Sequence, residues 1–140
     1  GLLLTEQMPD DISQIIEYLQ HILFRAGADL ATPVSLLHPN AKRIRPEDIL
    51  YLEEHITRIE STLPPQHSFL LPKGNRSSGL LHQARAISRR AERWTVTVAQ
   101  SEPINPDLLI YLNRLSDFLF MAARYINKHM NIPEESVKYS

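Results

Sequence analysis

Leu80-Leu81-His82-Gln83-Ala84-Arg85-Ala86-Ile87-Ser88-Arg89-Arg90-Ala91-Glu92-Arg93-Trp94 decides how this chain folds, because four arginines and a glutamate are threaded through residues that are apolar at helical spacing. At 3.6 residues per turn, Leu80, Ala84, Ile87, Ala91, Trp94 and, further on, Val98 line one stripe, while Arg85, Arg89 and Glu92 fall together away from it. The spacing predicts a helix that walls a core on one side and carries a cationic ledge on the other. Guanidinium forks one turn apart suit a bidentate oxyanion such as a polyphosphate.

Working outward, Asn105-Pro106-Asp107 starts a last helix. On it Leu108, Leu112, Leu115, Leu119, Ala122 and Ile126 form one apolar stripe, and Ile110, Phe118, Met121 and Tyr125 form a second. Two stripes predict two packing partners, the bundle core and either a further helix or a neighbouring subunit. Upstream, Ser77 or Ser78 is expected to open the arginine helix, which runs to about Gln100. Before it lies a loop with an unusual apolar load, His67-Ser68-Phe69-Leu70-Leu71-Pro72-Lys73-Gly74. Pro46-Glu47-Asp48 begins a helix through Ile49, Leu52, Ile56 and Ile59, which Leu63-Pro64-Pro65 ends. Pro9-Asp10-Asp11 breaks and caps the start of a long helix with Ile12, Ile15, Ile16, Leu19, Leu23, Ala26 and Leu30 on one face. Residues 31–45, with Thr32-Pro33, His38-Pro39-Asn40 and Lys42-Arg43-Ile44-Arg45, read as a surface loop. Gly1 followed by Leu2-Leu3-Leu4 reads as the end of a helix already in progress, so a preceding segment is expected. With no repeat and no strand pattern, the expectation is an all-α, up-and-down helical bundle of four to five helices, forming a single domain over residues 1–140.

A hydrophobic content of 43% is ample for one core at this length. Fifteen basic against 16 acidic residues leave a net charge of -1, so no chain-wide field draws in nucleic acid or an anionic membrane, and any anion site must be local. The lack of cysteine removes disulfides, thiolate metal sites and thiol nucleophiles, and fits a reducing cytoplasm. No apolar run approaches the ~18 residues of a spanning helix.

An arginine-rich helix is ordinarily a solvated face, with a residue such as Glu92 as internal counter-ion. Here a second polar stripe on the last helix, Asn113, Asp117 and Arg124, weighs against that reading, because an amide, a carboxylate and a guanidinium together can orient arginines and bind a nucleotide. Phe69-Leu70-Leu71-Pro72 is by itself an ordinary loop plug. Lys73-Gly74-Asn75-Arg76 is a weak phosphate-binding signal, lacking the Gly-x-x-x-x-Gly-Lys pattern. The histidines show no paired metal-ligand spacing, so no protein-bound metal is expected. An RNA-contacting helix would want interleaved aromatics and a basic balance, both absent.

Phe69-Leu70-Leu71-Pro72-Lys73-Gly74, Leu81-His82-Gln83-Ala84-Arg85, Arg89-Arg90-Ala91-Glu92-Arg93, Tyr111-Leu112-Asn113-Arg114-Leu115-Ser116-Asp117-Phe118-Leu119-Phe120 and Ala123-Arg124-Tyr125 stand in an order that resembles the PduO-type ATP:cob(I)alamin adenosyltransferases. Gly27-Ala28-Asp29-Leu30-Ala31-Thr32-Pro33 extends the likeness over nearly the whole chain. The resemblance implies a five-helix bundle assembled as a homotrimer, with ATP, Mg²⁺ and a cobalamin substrate at subunit interfaces. It implies transfer of the 5′-deoxyadenosyl group of ATP to Co(I), with a corrinoid reductase and an adenosylcobalamin-dependent enzyme as partners. The competing reading is a non-catalytic corrinoid-binding or oligomerising module.

Carried over by position, Arg89, Arg90, Ala91, Glu92, Arg93 and Asn113 resemble the family's ATP contacts. Arg85 and Arg89 resemble its catalytic arginines, and Phe69 its aromatic residue beneath the corrin ring. Asp117 and Arg124 match supporting residues. Two departures stand out: Pro72-Lys73-Gly74-Asn75 where many members have a proline and two glycines, and Trp94 in place of a commoner polar or basic residue. In the family a threonine-, glycine- and aspartate-rich segment that wraps the ATP phosphates comes before the point where this chain begins, and the expectation is that the natural protein carries it.

Overall fold

A computed structural model describes residues 1–36 and 42–139. Four α-helices follow a short 3-10 turn, Leu2–Thr5: α1 Asp10–Ala31, α2 Pro46–Glu60, α3 Arg76–Ala99 and α4 Pro106–His129. No strand forms among the described residues, and a single antiparallel bridge pairs Leu70 with Ser136. The all-α bundle expected from the periodicity is the architecture found. His38-Pro39-Asn40 lies outside the described residues.

Each helix begins where its local chemistry dictates. Asn75 caps α3 by accepting a hydrogen bond from Ser78 N–H (2.9 Å), so the cap lies ahead of the expected Ser77 or Ser78. Asn105 caps α4 by accepting from Asp107 N–H (3.1 Å), with Pro106 in the first turn. In α2 the Asp48 carboxylate reaches back to the Arg45 N–H (2.9 Å). Pro9 starts α1 without a side-chain cap; Asp10 and Asp11 instead place negative charge at the positive end of its dipole.

The centre of the molecule is α4, which α1, α2 and α3 all approach. Its first stripe, Leu108, Leu112, Leu115, Leu119, Ala122 and Ile126, is buried as predicted. The second stripe divides: Phe118 is fully buried, Met121 and Tyr125 are half-buried, and Ile110 is exposed. On that side the buried Tyr111 lies beside Tyr18 and Arg25 of α1 and Asp48 and Tyr51 of α2, so helices of the same chain cover it.

The predicted core face of α3 is corrected. Its buried residues are Ser77, Ser78, Leu81, Ser88 and Thr95, whereas Ile87 is 50% and Trp94 67% exposed. A hydropathy reading passes over hydroxyl residues, yet Ser88 donates to the Arg85 carbonyl (2.8 Å) and Thr95 to the Ala91 carbonyl (2.8 Å). Each hydroxyl is thus satisfied within its own helix and is small enough to let α3 lie close against α4. Of the apolar stripe, Leu80 and Ala84 are half-buried against the core, and the stripe borders an opening beside it. Ala84, Ile87 and Ala91 form one wall of a groove of about 320 Å³, with Leu23 opposite and Leu112, Leu115 and Leu119 below. On α1, Leu23 and Leu30 are likewise exposed, while Ile22 and Asp29 are buried in their place.

Asp29 explains why residues 42–45 are not a simple surface loop. Its carboxylate accepts from Arg43 (2.7 Å), Ile44 N–H (2.8 Å) and the Asn105 amide (2.7 Å), tying α1, the connection and the start of α4 together. Ile44 is buried as a result. Leu52 is fully enclosed, so Leu52→Ala should cost about 2 to 5 kcal/mol in urea unfolding. Trp94→Ala, at an exposed site, should stay within about 0.5 kcal/mol in a monomeric sample.

Candidate functional site

The arginine ledge runs along the edge of the α3–α4 contact. Arg85 is half-buried, and its guanidinium lies over the Phe120 ring, 5.1 Å from the centroid. Arg89 and Arg93 follow at one-turn intervals and are exposed. Among the described residues no carboxylate comes within ion-pair distance of Arg85, Arg89, Arg90 or Arg93, although eight other ion pairs form. Four guanidinium groups therefore keep their donors free.

Glu92, the expected internal counter-ion, is engaged elsewhere. Its carboxylate accepts from the Asn113 amide N–H across the helix pair (3.1 Å), Arg114 donates to the Asn113 side-chain oxygen Oδ1 (2.6 Å), and Arg114 pairs with Asp117 (3.0 Å). The chain Glu92–Asn113–Arg114–Asp117 links α3 to α4 and orients the amide. Arg114 is the member that sequence reading missed; its place one residue after Asn113 was the available signal.

The structure does not bring every candidate together. Arg90 lies about 100° round the helix from Arg89, away from Arg85 and Glu92. Ala91 lines the apolar groove. Arg124, three turns beyond Asn113, is only 4% exposed and holds Glu134 (2.6 Å) and the Pro64 carbonyl (2.9 Å), so it supports the loop around Phe69 and not the ledge. Lys73 and Arg76 pair with Glu135 and Glu6, which accounts for their charge without a phosphate.

Phe69 sits at the tip of its loop with 72% of its surface exposed, which makes it a presented aromatic ring and no core plug. Behind it, Leu70 and Leu71 border a small crevice with His82 and Phe120, and Phe120 in turn carries Arg85. The loop and the ledge are thus joined through packed side chains. His82 packs edge-on against Phe120 (6.1 Å between centroids), and its buried Nδ1 has no hydrogen-bond partner.

Comparison with known proteins bears on this site. The cobalamin adenosyltransferase family matches residues 1–126. This chain belongs to the cobalamin adenosyltransferase family. A corrinoid adenosyltransferase of Bacillus subtilis is 38% identical over 123 residues, 88% of this chain and 62% of that protein, so the chain spans less than two thirds of this relative. An arginine-to-lysine variant of the PduO-type ATP:corrinoid adenosyltransferase of Lactobacillus reuteri, complexed with ATP, superposes with a TM-score of 0.90 at 36% identity, covering 99% of this chain and 78% of that one. A phenylalanine-to-alanine variant of the same enzyme, complexed with cobalamin and ATP, gives 0.90 at 35% identity with the same coverage.

Burial, and then the neighbouring Arg85 guanidinium, push the His82 imidazole below its ordinary 6.5. The folded state therefore resists protonation that the unfolded chain accepts near 6.5, and stability rises with pH through the interval between the two values. An NMR titration should give a midpoint below 6.5 for His82, and His82→Gln should flatten the loss of stability as the pH falls through that interval.

Proposed function

We propose that this chain transfers the 5′-deoxyadenosyl group of ATP to Co(I) of a reduced corrinoid, giving adenosylcobalamin and triphosphate. The observation that carries this reading is the row of carboxylate-free guanidinium groups on α3, beside an amide held in place by Glu92, in a member of this family. Cobalt is the nucleophile at C5′ and the C5′–O bond breaks toward the triphosphate, so the protein needs no nucleophile of its own. What the protein supplies is charge and position. Negative charge grows on the departing triphosphate, and Arg85 and Arg89, with Arg93 and Arg90, meet it with donors already in place. Arg85 is held by the Phe120 ring and Asn113 by Glu92 and Arg114, so both are oriented before a nucleotide arrives. Asp117 acts through Arg114. Ala91, on the groove side, would approach a nucleotide only through the helix backbone or from a neighbouring chain.

A divalent ion would supply further charge to the phosphates. Mg²⁺ bound through the triphosphate oxygens would need few ligands from the protein. The exposed Phe69 ring offers an apolar platform for one face of a corrin. Excluding the lower axial ligand there eases reduction of Co(II), because loss of an axial donor raises the potential.

The same reading takes residues 1–140 as one catalytic domain of a cytoplasmic homotrimer with sites between subunits, served by a corrinoid reductase and supplying an adenosylcobalamin-dependent enzyme. Exposed Ile87 and Trp94, two turns apart on one side of α3, give it an apolar surface of the kind a subunit contact uses. No helix among the described residues is long and apolar enough to cross a membrane.

Mixing the full-length protein with ATP, Mg²⁺ and chemically reduced cobalamin should turn the visible spectrum to that of adenosylcobalamin. Corrinoid binding without conversion would favour a non-catalytic module instead. Arg89→Ala should lose about 2 to 4 kcal/mol of transition-state stabilisation, read from kcat/KM. Phe69→Ala should slow reactions started from Co(II) more than those started from Co(I).

A further inference from the structure

The ring of Phe69 is exposed, but its backbone is not free. After α4 the chain reverses at Asn131, which takes a positive φ of 55° with Ile132 N–H donating to the Asn127 carbonyl (2.8 Å). The tail then runs antiparallel beside the Phe69 loop. Leu71 N–H donates to the Glu135 carbonyl (2.8 Å), Val137 N–H donates to the Phe69 carbonyl (2.8 Å), and the Ser68 and Ser136 hydroxyls bond each other (2.6 Å). Lys73 pairs with the Glu135 carboxylate. The tail is itself pinned from below, where buried Arg124 grips Glu134 while also donating to the Pro64 carbonyl at the start of the loop. The Asn127 amide donates to the Lys73 carbonyl (2.9 Å), and the next residue, Gly74, at φ 148°, lies so close to Asn127 that a Cβ there would collide with it. The loop is therefore fixed near its beginning, at its tip and at its end.

We propose that the tail segment 134–137, anchored by Arg124, is a positioning clasp for Phe69: it holds the loop backbone so that the ring is presented to the corrin, and Lys73 with Glu135 tightens it. The residues Glu134, Glu135, Ser136 and Val137 act through Phe69 and touch no reacting atom. The proposal rests on the adenosyltransferase reading for what Phe69 presents itself to, but the clasp is a property of the chain alone. An exposed aromatic ring on a slack loop would collapse onto the nearby apolar surface of Leu70 and Leu71, because hiding it from water is favourable. Two backbone hydrogen bonds and an ion pair oppose that collapse.

The test compares the full-length protein with Val137→Pro, which deletes the donor to the Phe69 carbonyl, and with Lys73→Glu, Glu135→Lys and the charge-exchanged double variant. Amide exchange over residues 68–73 should quicken roughly 2- to 10-fold in Val137→Pro, the equivalent of one hydrogen bond, while exchange along α3 stays unchanged. Turnover started from Co(II) should fall by a similar factor, with turnover from chemically prepared Co(I) held within roughly twofold, and the absorbance of four-coordinate Co(II) should weaken in step. The single charge variants should show smaller effects in the same direction, and the exchanged pair should recover. Unchanged exchange over 68–73 would overturn the clasp. Equal loss from Co(II) and Co(I) would overturn its role in presenting Phe69. A wild-type protein that converts no Co(I) would sink the adenosyltransferase reading instead, and the exchange comparison, made without substrate, would still decide whether the tail fixes the loop.

Discussion

The close contact of α3 against α4 is the constraint on which the rest depends. Leu81, Ser88 and Thr95 recur every seven residues along α3 and are all buried, so the helix meets its partner through one large apolar side chain and two small hydroxyls already satisfied by their own backbone. Bulky residues at those places would hold the helices apart. Close approach lets a short side chain such as Asn113 reach Glu92, and it sets Phe120 under Arg85. The arginines then stand along the seam with their stems supported and their charged ends free. Orientation of this kind is what a site must supply when the leaving group is a polyphosphate, since donors that need not reorganise stabilise developing charge most.

At the amino-terminal end of α3, which lies beside the carboxy-terminal end of α4, the chain solves a different problem. It must keep a large apolar ring in water without letting it fold away. The solution uses backbone hydrogen bonds from the tail and an ion pair between buried Arg124 and the more exposed Glu134, with a further Arg124 donor reaching the Pro64 carbonyl. Truncating Glu134 would strand the buried Arg124 guanidinium without its counter-ion, which makes the pair a firm anchor even where its net contribution to stability is small. Leu70 and Leu71 connect this end to His82 and Phe120, so the aromatic platform and the arginine ledge share one packed wall.

Part of the apolar face of α3 is left open in this structure. Ala84, Ile87 and Ala91 have the spacing of a core stripe, yet in this structure they line an open groove with Leu112, Leu115 and Leu119 at its base. Apolar residues at helical spacing show which side chains share a face; they do not say what that face packs against. The α4 stripes make the same point in reverse, since Tyr111 and Phe118, on the side where a second subunit was one option, are buried within the same chain.

Much of this protein was legible in residue order. Asn105-Pro106-Asp107 and Pro46-Glu47-Asp48 fix helix starts because caps and first-turn prolines act through neighbouring backbone groups, and the Leu108-to-Ile126 stripe fixes the core of α4 because it is strictly periodic. The arginine ledge was legible for the same reason: its geometry lies within one helix. The tertiary structure alone decided that the inward face of α3 is hydroxylic, that Arg124 serves the Phe69 loop rather than the ledge, that Arg114 completes the Asn113 link, and that Asp29 and the tail staple distant segments. The Arg124, Asp29 and tail contacts join groups ten to more than seventy residues apart, as Asp29 meets Asn105 and Leu71 meets Glu135, and no local spacing encodes which of many polar side chains will find one another once water is removed.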